Sequence, residues 1–227
     1  MAEVQESLRL AELLAAVSAA TDFAKGLPEE QALRTCRAAG ILAERAGLSP
    51  ADRRAVFYVS LLRFVGCTAT APEMAAALGD ELAVSAVFAA VDPRDLRSVL
   101  AAAADLVRRG GGPGDDHTGP TARIAGTARF LAAAPAVIRE HEVASCEVAR
   151  MFAERIGLPG PIPAALGQVF ERWDGRGHPG STRGQAIALA VRVEQVAHVA
   201  ELLVRTDGPA AAMAGLRRRA GSSFDPD

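Results

Sequence analysis

Alternating runs of β-branched residues, which a half-buried strand requires, are scarce in this chain. In their place, apolar residues recur at helical spacing between glycine and proline breaks. Alanine is abundant and aromatic residues make up 4% of the sequence, so intrinsic preference is helical from end to end. With 227 residues, half of them hydrophobic, the chain can bury one full core or two small ones and is far too apolar to stay disordered. The expected class is all-α, a multi-helix bundle.

Local punctuation places the helices. A leading helix spans 3–23, with Val4, Leu8, Leu13, Leu14 and Val17 close to one face, and it ends near Asp22 and Gly26. Pro28 and the acids after it suit a first turn, and Gly47 supplies a stop, which predicts a helix over 28–46. Ser49-Pro50-Ala51-Asp52 reads as an N-cap, an N1 proline and an acid at N3, opening a central helix to Gly66. Shorter helices are expected at 72–78 and 81–90, then one from Asp92-Pro93 through Leu96, Leu100 and Leu106. The stretch 109–120, RGGGPGDDHTGP, reads as a flexible surface loop that also holds His117. Helical pattern resumes at 121, breaks near Pro135 and runs on to Gly157; the prolines at 159, 161 and 163 lead into a helix ending at Trp173, and the last helices are expected at 185–205 and 209–220.

Charge and cysteines restrict function. Twenty-five basic against 27 acidic side chains leave a net charge of −2, without the basic excess of a dedicated nucleic-acid binder, so no direct nucleic-acid binding by this segment is expected. No apolar run approaches the roughly 18 residues of a membrane span, and the N-terminus MAEVQESLRL lacks the pattern of a secretion signal, which predicts a cytoplasmic protein away from the membrane. Cys36, Cys67 and Cys146 are odd in number and form no CxxC, which fits free thiols. Lys25 is the sole lysine; the arginine bias suggests a high-GC genome.

The segment DGRGHPGSTRG at 174–184 is too rich in glycine for regular structure, yet it joins two strongly apolar helices and must be a defined connection. Its context, FERWDGRGHPGSTRGQAIALAVRVEQVAHVAE at 170–201, resembles the second half of an HD-GYP domain, the bacterial branch of the HD metal-dependent phosphohydrolases. In that family a helix ends in His-His-Glu, a D-G-x-G-Y-P-x-G-L-x-G loop follows, and the next helix carries an Asp ligand. Glu171, Trp173-Asp174-Gly175, Gly177-His178-Pro179 and Gly184 stand at the corresponding places. LLRFVGC at 61–67 resembles the family's Leu-Leu-His-Asp-Ile-Gly-Lys sequence, and the terminal GSSFDPD resembles its Phe-Asp-Pro ending. The resemblance thus covers 28–227, with 1–27 as an N-terminal helical extension, and it implies an HD-domain-like bundle of actinobacterial type.

The resemblance also implies phosphodiester hydrolysis, notably of cyclic dinucleotides, at a two- or three-iron site, which needs clustered His and Asp to hold the metals. Those positions are mostly replaced. The early histidine falls near Gln31, the His-Asp pair on Arg63-Phe64, the middle histidine near Ser145, the paired histidines on Val169-Phe170 and the late aspartate on His198. A phenylalanine donates no electron pair to iron, and an arginine brings a permanent positive charge. The expectation is a catalytically inactive domain with no catalytic or metal-binding residue and no cofactor. It would act as a regulatory module sensing a small anionic ligand or a protein partner, in the N-terminal part of a larger regulator. One alternative is a phosphodiesterase with a reorganised iron or manganese site; another is a structural homodimerisation domain.

The candidate ligand-binding residues of the degenerate pocket are Arg63, Glu171, Asp174, His178 and His198. Arg63 either offers a planar fork to a phosphate or carboxylate or closes the old pocket through an internal salt bridge to Glu171 or Glu147. The loop 174–184 either recognises a ligand or keeps its glycines for backbone geometry. His141, His178 and His198, with Glu142, Glu147 or Cys146, have no zinc-motif spacing. Trp173 reads as a core anchor, Arg172 and Arg183 as solvated, and Cys67 as a small buried residue in preference to a reactive thiol.

Overall fold

A computed structural model describes residues 9–28, 30–78, 84, 91, 95–108 and 120–227. The helices are α1 (Leu10–Ala24), α2 (Gln31–Arg45), α3 (Pro50–Leu62), α4 (Ala71–Leu78), α5 (Leu96–Arg108), α6 (Pro120–Arg155), α7 (Pro161–Leu166) and α8 (Leu189–Arg219). Among the described residues no strand forms; an isolated bridge pairs Ala220 with Phe224. The all-α expectation holds. No described helix is long and apolar enough to cross a membrane. The helix expected at 81–90 and the loop expected at 109–120 lie outside the described residues, apart from Val84 and from Pro120, which opens α6.

The core forms where α2, α3 and α8 pack together, with α7 against α3 and α6. Ala39 and Ala43 of α2 are fully buried there with Val56, Val59, Leu61 and Leu62 of α3. Alanines at the contact let the helices approach closely, and the larger α3 side chains fill the space left. Cys146, Ala149 and Ala153 of α6, Ile162 and Leu166 of α7, and Val191 and Ala197 of α8 complete the cluster.

Several boundaries follow the sequence signals. Ser49 caps α3 by accepting from the Asp52 amide at 3.2 Å. Gly47, at φ 68°, turns the chain after α2 in the left-handed conformation that glycine adopts without strain, and the Leu48 amide then reaches the Ala43 carbonyl at 3.0 Å. α8 carries a break at Gly208 (φ 82°, ψ 169°) followed by Pro209, where separate helices were expected.

Other expectations are corrected. The buried face of α1 is Leu14, Ser18, Thr21 and Asp22, whereas Leu13 and Val17 are 49% and 40% exposed. Polar side chains win that face because they have partners: Ser18 Oγ donates to the Leu61 carbonyl at 2.6 Å, and Asp22 Oδ2 accepts from the Ala32 amide at 2.9 Å. α2 starts at Gln31, after Pro28, with Glu30 left-handed before it. α3 ends at Leu62, short of Gly66. Pro135 sits inside a continuous α6: a proline removes one backbone donor, and this helix tolerates the loss at an exposed position. α7 stops at Leu166 and turns replace helix up to Phe170, and α8 begins at Leu189 after a short 3-10 turn, Gly184–Ala186. Arg172 is not solvated: its side chain is mostly buried and bonds Asp174 through Nε at 3.4 Å. Trp173 is half-buried beneath the Arg192 guanidinium and is not a core anchor.

One close approach fixes the helix-to-turn path after α3. A Cβ built on Gly66 would stand 2.1 Å from the Ser145 carbonyl oxygen, so the turn carrying Gly66 lies directly on the α6 backbone.

Candidate functional site

Arg63 follows the last residue of α3 and points into the space between α8 and the turn after α7. Its Nη1 donates to Glu194 Oε2 and, at 3.1 Å, to the Val169 carbonyl. The guanidinium lies 5.3 Å from the Phe64 ring centre and 5.2 Å from that of Phe170, so the two aromatic residues flank it. Phe64 also meets His198 edge-on at 5.3 Å. The internal ion pair expected for Arg63 therefore exists, but with Glu194 and not with Glu171 or Glu147.

Glu194 is fully buried; burial pushes its carboxyl up to about 7, against the pull of Arg63. Burial, together with Arg63 and Arg205, holds the His198 imidazole well below its ordinary value, in the neutral form. Glu194 Oε1, Arg63 Nε and His198 Nδ1 are buried without hydrogen-bond partners. At spacings of four, three and four, Glu194, His198, Glu201 and Arg205 share one face of α8. Arg205 bonds Glu201 at 3.3 Å and the Gln31 amide oxygen at 3.1 Å. Asp22 faces the same seam, its carboxyl raised first by burial, in part offset by the Ala32 and Gln31 amides, and raised further by the charge of Glu201.

A second group lies near the same rings. Lys25, at the end of α1, places Nζ 5.7 Å from the Phe64 ring centre and 3.5 Å from His141 Nε2. An ammonium has only donors, so Nε2 accepts and the imidazole proton sits on Nδ1, which donates to Thr70 Oγ1 at 2.5 Å. Burial and the neighbouring Lys25 push His141 down to about 4, so it is neutral. Next to it, Glu142 accepts from His178 Nδ1 at 2.5 Å. Burial raises the Glu142 carboxyl, while His178, Arg63 and Lys25 pull it the other way.

The candidate residues thus separate. Arg63 and His198 lie together at the rings, and His178 reaches Arg63's neighbourhood through Glu142. Glu171, 1% exposed, anchors the loop instead: it accepts from the amides of Gly180, Ser181 and Thr182 at 3.2, 2.7 and 3.1 Å and from Ser181 Oγ at 2.9 Å. Asp174 works inside the loop, accepting from the Arg176 amide at 3.0 Å and from Arg172. The loop is tied to the C-terminus by the Trp173 and Asp174 amides, which donate to the Ser223 and Ser222 carbonyls. It is the defined connection its position between apolar helices required. Sequence reasoning missed Lys25 and Glu194; the signal for Glu194 was its place one turn before His198 on the α8 face.

Four of the positions that the HD-GYP resemblance assigns to iron, Arg63, Phe64, Val169 and Phe170, do not fit a metal centre. Arg63 is ion-paired there, Phe64 and Phe170 offer hydrocarbon, and Val169 is buried in the core. Among the described residues no three His, Cys, Asp or Glu side chains converge as metal ligands would.

No protein-family model matches the chain. The 3'3'-cGAMP-specific phosphodiesterase 3 of Vibrio cholerae serotype O1 is 23% identical over 227 residues, covering 100% of this chain and 48% of the relative. The crystal structure of a cyclic GMP-AMP-specific phosphodiesterase of V. cholerae superposes with a TM-score of 0.65 at 22% identity, covering 96% of this chain and 46% of that one. The chain thus spans about half the length of the proteins it matches. Its architecture is an all-α, HD-domain-like bundle of the kind that neighbour displays.

Proposed function

We propose that this chain is a non-catalytic HD-domain-like module of bacterial signalling, a regulatory part of a larger protein that senses a small anionic ligand or contacts a protein partner. One observation carries the reading: Arg63, clasped by Glu194 and flanked by Phe64 and Phe170, fills the place where the resemblance would put metal-ligating His and Asp. A fixed guanidinium repels a divalent cation and leaves Glu194 no free charge with which to attract one. The likeness to a cyclic-dinucleotide phosphodiesterase supports the signalling context. Three buried free thiols support a reducing, cytoplasmic setting.

A second reading, a phosphodiesterase with a reorganised metal site, is favoured by the likeness running along the whole chain to a protein named for that activity. One experiment separates them: elemental mass spectrometry of protein purified without chelator or affinity tag, followed by incubation with 3'3'-cGAMP after iron or manganese loading. The non-catalytic reading expects metal near zero per chain and no turnover. Iron or manganese at one or two per chain, together with linear product, establishes the enzyme.

A further inference from the structure

We propose that Lys25, Arg63 and His178 form a binding site for a phosphate group, and that Glu142 occupies it in the ligand-free chain as an internal carboxylate. The inference deepens the ligand-sensing reading by giving that pocket a ligand chemistry.

The three basic groups come from three separate elements: the end of α1, the end of α3 and the loop 174–184. Lys25 is half-buried, and among the described residues no carboxylate forms an ion pair with it. Neutral His141 takes one of its three donors and in doing so aims the ammonium; the remaining donors have no acceptor among the described residues. Arg63 uses Nη1 for Glu194 and Val169, while Nη2 has no hydrogen bond among the described residues and is not one of the buried unpartnered atoms. His178 already directs Nδ1 at an anion, the Glu142 carboxylate. Glu142 and His178 are 23% and 29% exposed, so solvent reaches this point from outside.

Glu142 thus stands among these three basic groups: burial, the strongest influence, raises its carboxyl, while His178, Arg63 and Lys25 each favour the charged form. A carboxylate offers one charge and two oxygens to donors that include an ammonium and the free arm of a guanidinium. A phosphate brings more charge and more acceptor oxygens to the same donors, so it competes with Glu142 on favourable terms. Phe64 beneath Lys25 and Arg63 keeps the floor of the site apolar, which strengthens each charge contact.

The test is titration calorimetry with sodium phosphate at fixed ionic strength, and separately with 3'3'-cGAMP, on wild type, Glu142→Gln and Lys25→Met, with circular dichroism melts to confirm folding. Removing the competing carboxylate in Glu142→Gln is expected to tighten inorganic phosphate binding by about tenfold, and Lys25→Met to weaken it by about tenfold. If Glu142→Gln fails to fold, Lys25→Met against wild type decides alone. Equal phosphate affinity in wild type and both variants, or no saturable binding of either ligand, overturns the site and leaves the non-catalytic reading intact. Binding of 3'3'-cGAMP that depends on Lys25 assigns the phosphate to a nucleotide source, and binding of inorganic phosphate alone assigns it to a free one. Lys25-dependent binding accompanied by cleavage upholds the site and overturns the non-catalytic reading.

Discussion

Arg63 and Glu194 meet across 131 positions of sequence, and their ion pair, with Glu194 fully buried, joins the end of α3 to the middle of α8. A buried pair of this kind stabilises weakly against an apolar substitute of the same volume, but losing one partner strands the other. Arg63→Met is expected to cost about 3 kcal/mol at pH 8, measured by urea unfolding, because Glu194 is left without its cation. The cost should shrink at pH 5, where the stranded carboxyl takes up a proton, and Arg63→Met with Glu194→Leu should recover most of it. A single variant as stable as wild type at pH 8 would refute the assignment.

Glu171 holds the loop 174–184 by accepting from three consecutive amides and one hydroxyl. Glu171→Ala leaves those donors without their charged acceptor and is expected to lower stability by about 2 kcal/mol or more. Limited proteolysis should then cut between 174 and 184 while the wild type resists. Resistance unchanged in the variant would mean that the loop is held by its contacts with Ser222 and Ser223 instead.

Acid should act through His141. In the unfolded chain its imidazole takes a proton near the ordinary 6.5, whereas the folded one waits until about 4. The unfolded state therefore binds more protons in that window, and the contribution is complete above 6.5 and lost as pH falls towards 4, by on the order of 3 kcal/mol. His198 acts in the same direction, while the raised carboxyls of Asp22, Glu142 and Glu194 act oppositely. The informative quantity is the difference between wild type and His141→Gln: thermal melts from pH 7 to 4 should show wild type losing stability relative to the variant. Parallel curves would show that His141 charges freely in the folded state.

Gly66→Ala should be among the costliest single-methyl additions in the chain. The new Cβ would collide with the Ser145 carbonyl of α6, a backbone atom that cannot swing away, so a loss of at least about 2 kcal/mol is expected in denaturant melts. Gly40, whose added Cβ would meet nothing within 4 Å, is the control and should tolerate alanine. Equal stability of the two variants would remove the argument for contact between the turn and α6.

What the sequence determined by itself was local. Ser49 and Pro50 start α3, Gly47 ends α2, and the glycine density of 174–184 marks a connection, because caps, left-handed turns and helical periodicity depend on residues a few positions apart. The donor chemistry of Arg63-Phe64 and Val169-Phe170, where the resemblance expects metal ligands, was equally legible, since it needs no structure. Only the tertiary structure decided the partners. Arg63 pairs with Glu194 instead of Glu171 or Glu147, Lys25 reaches His141 across 116 positions, and the exposed Leu13 and Val17 yield the inner face of α1 to Ser18 and Asp22. Each of these outcomes depends on which distant side chain supplies the buried partner, and periodicity along the chain carries no record of that.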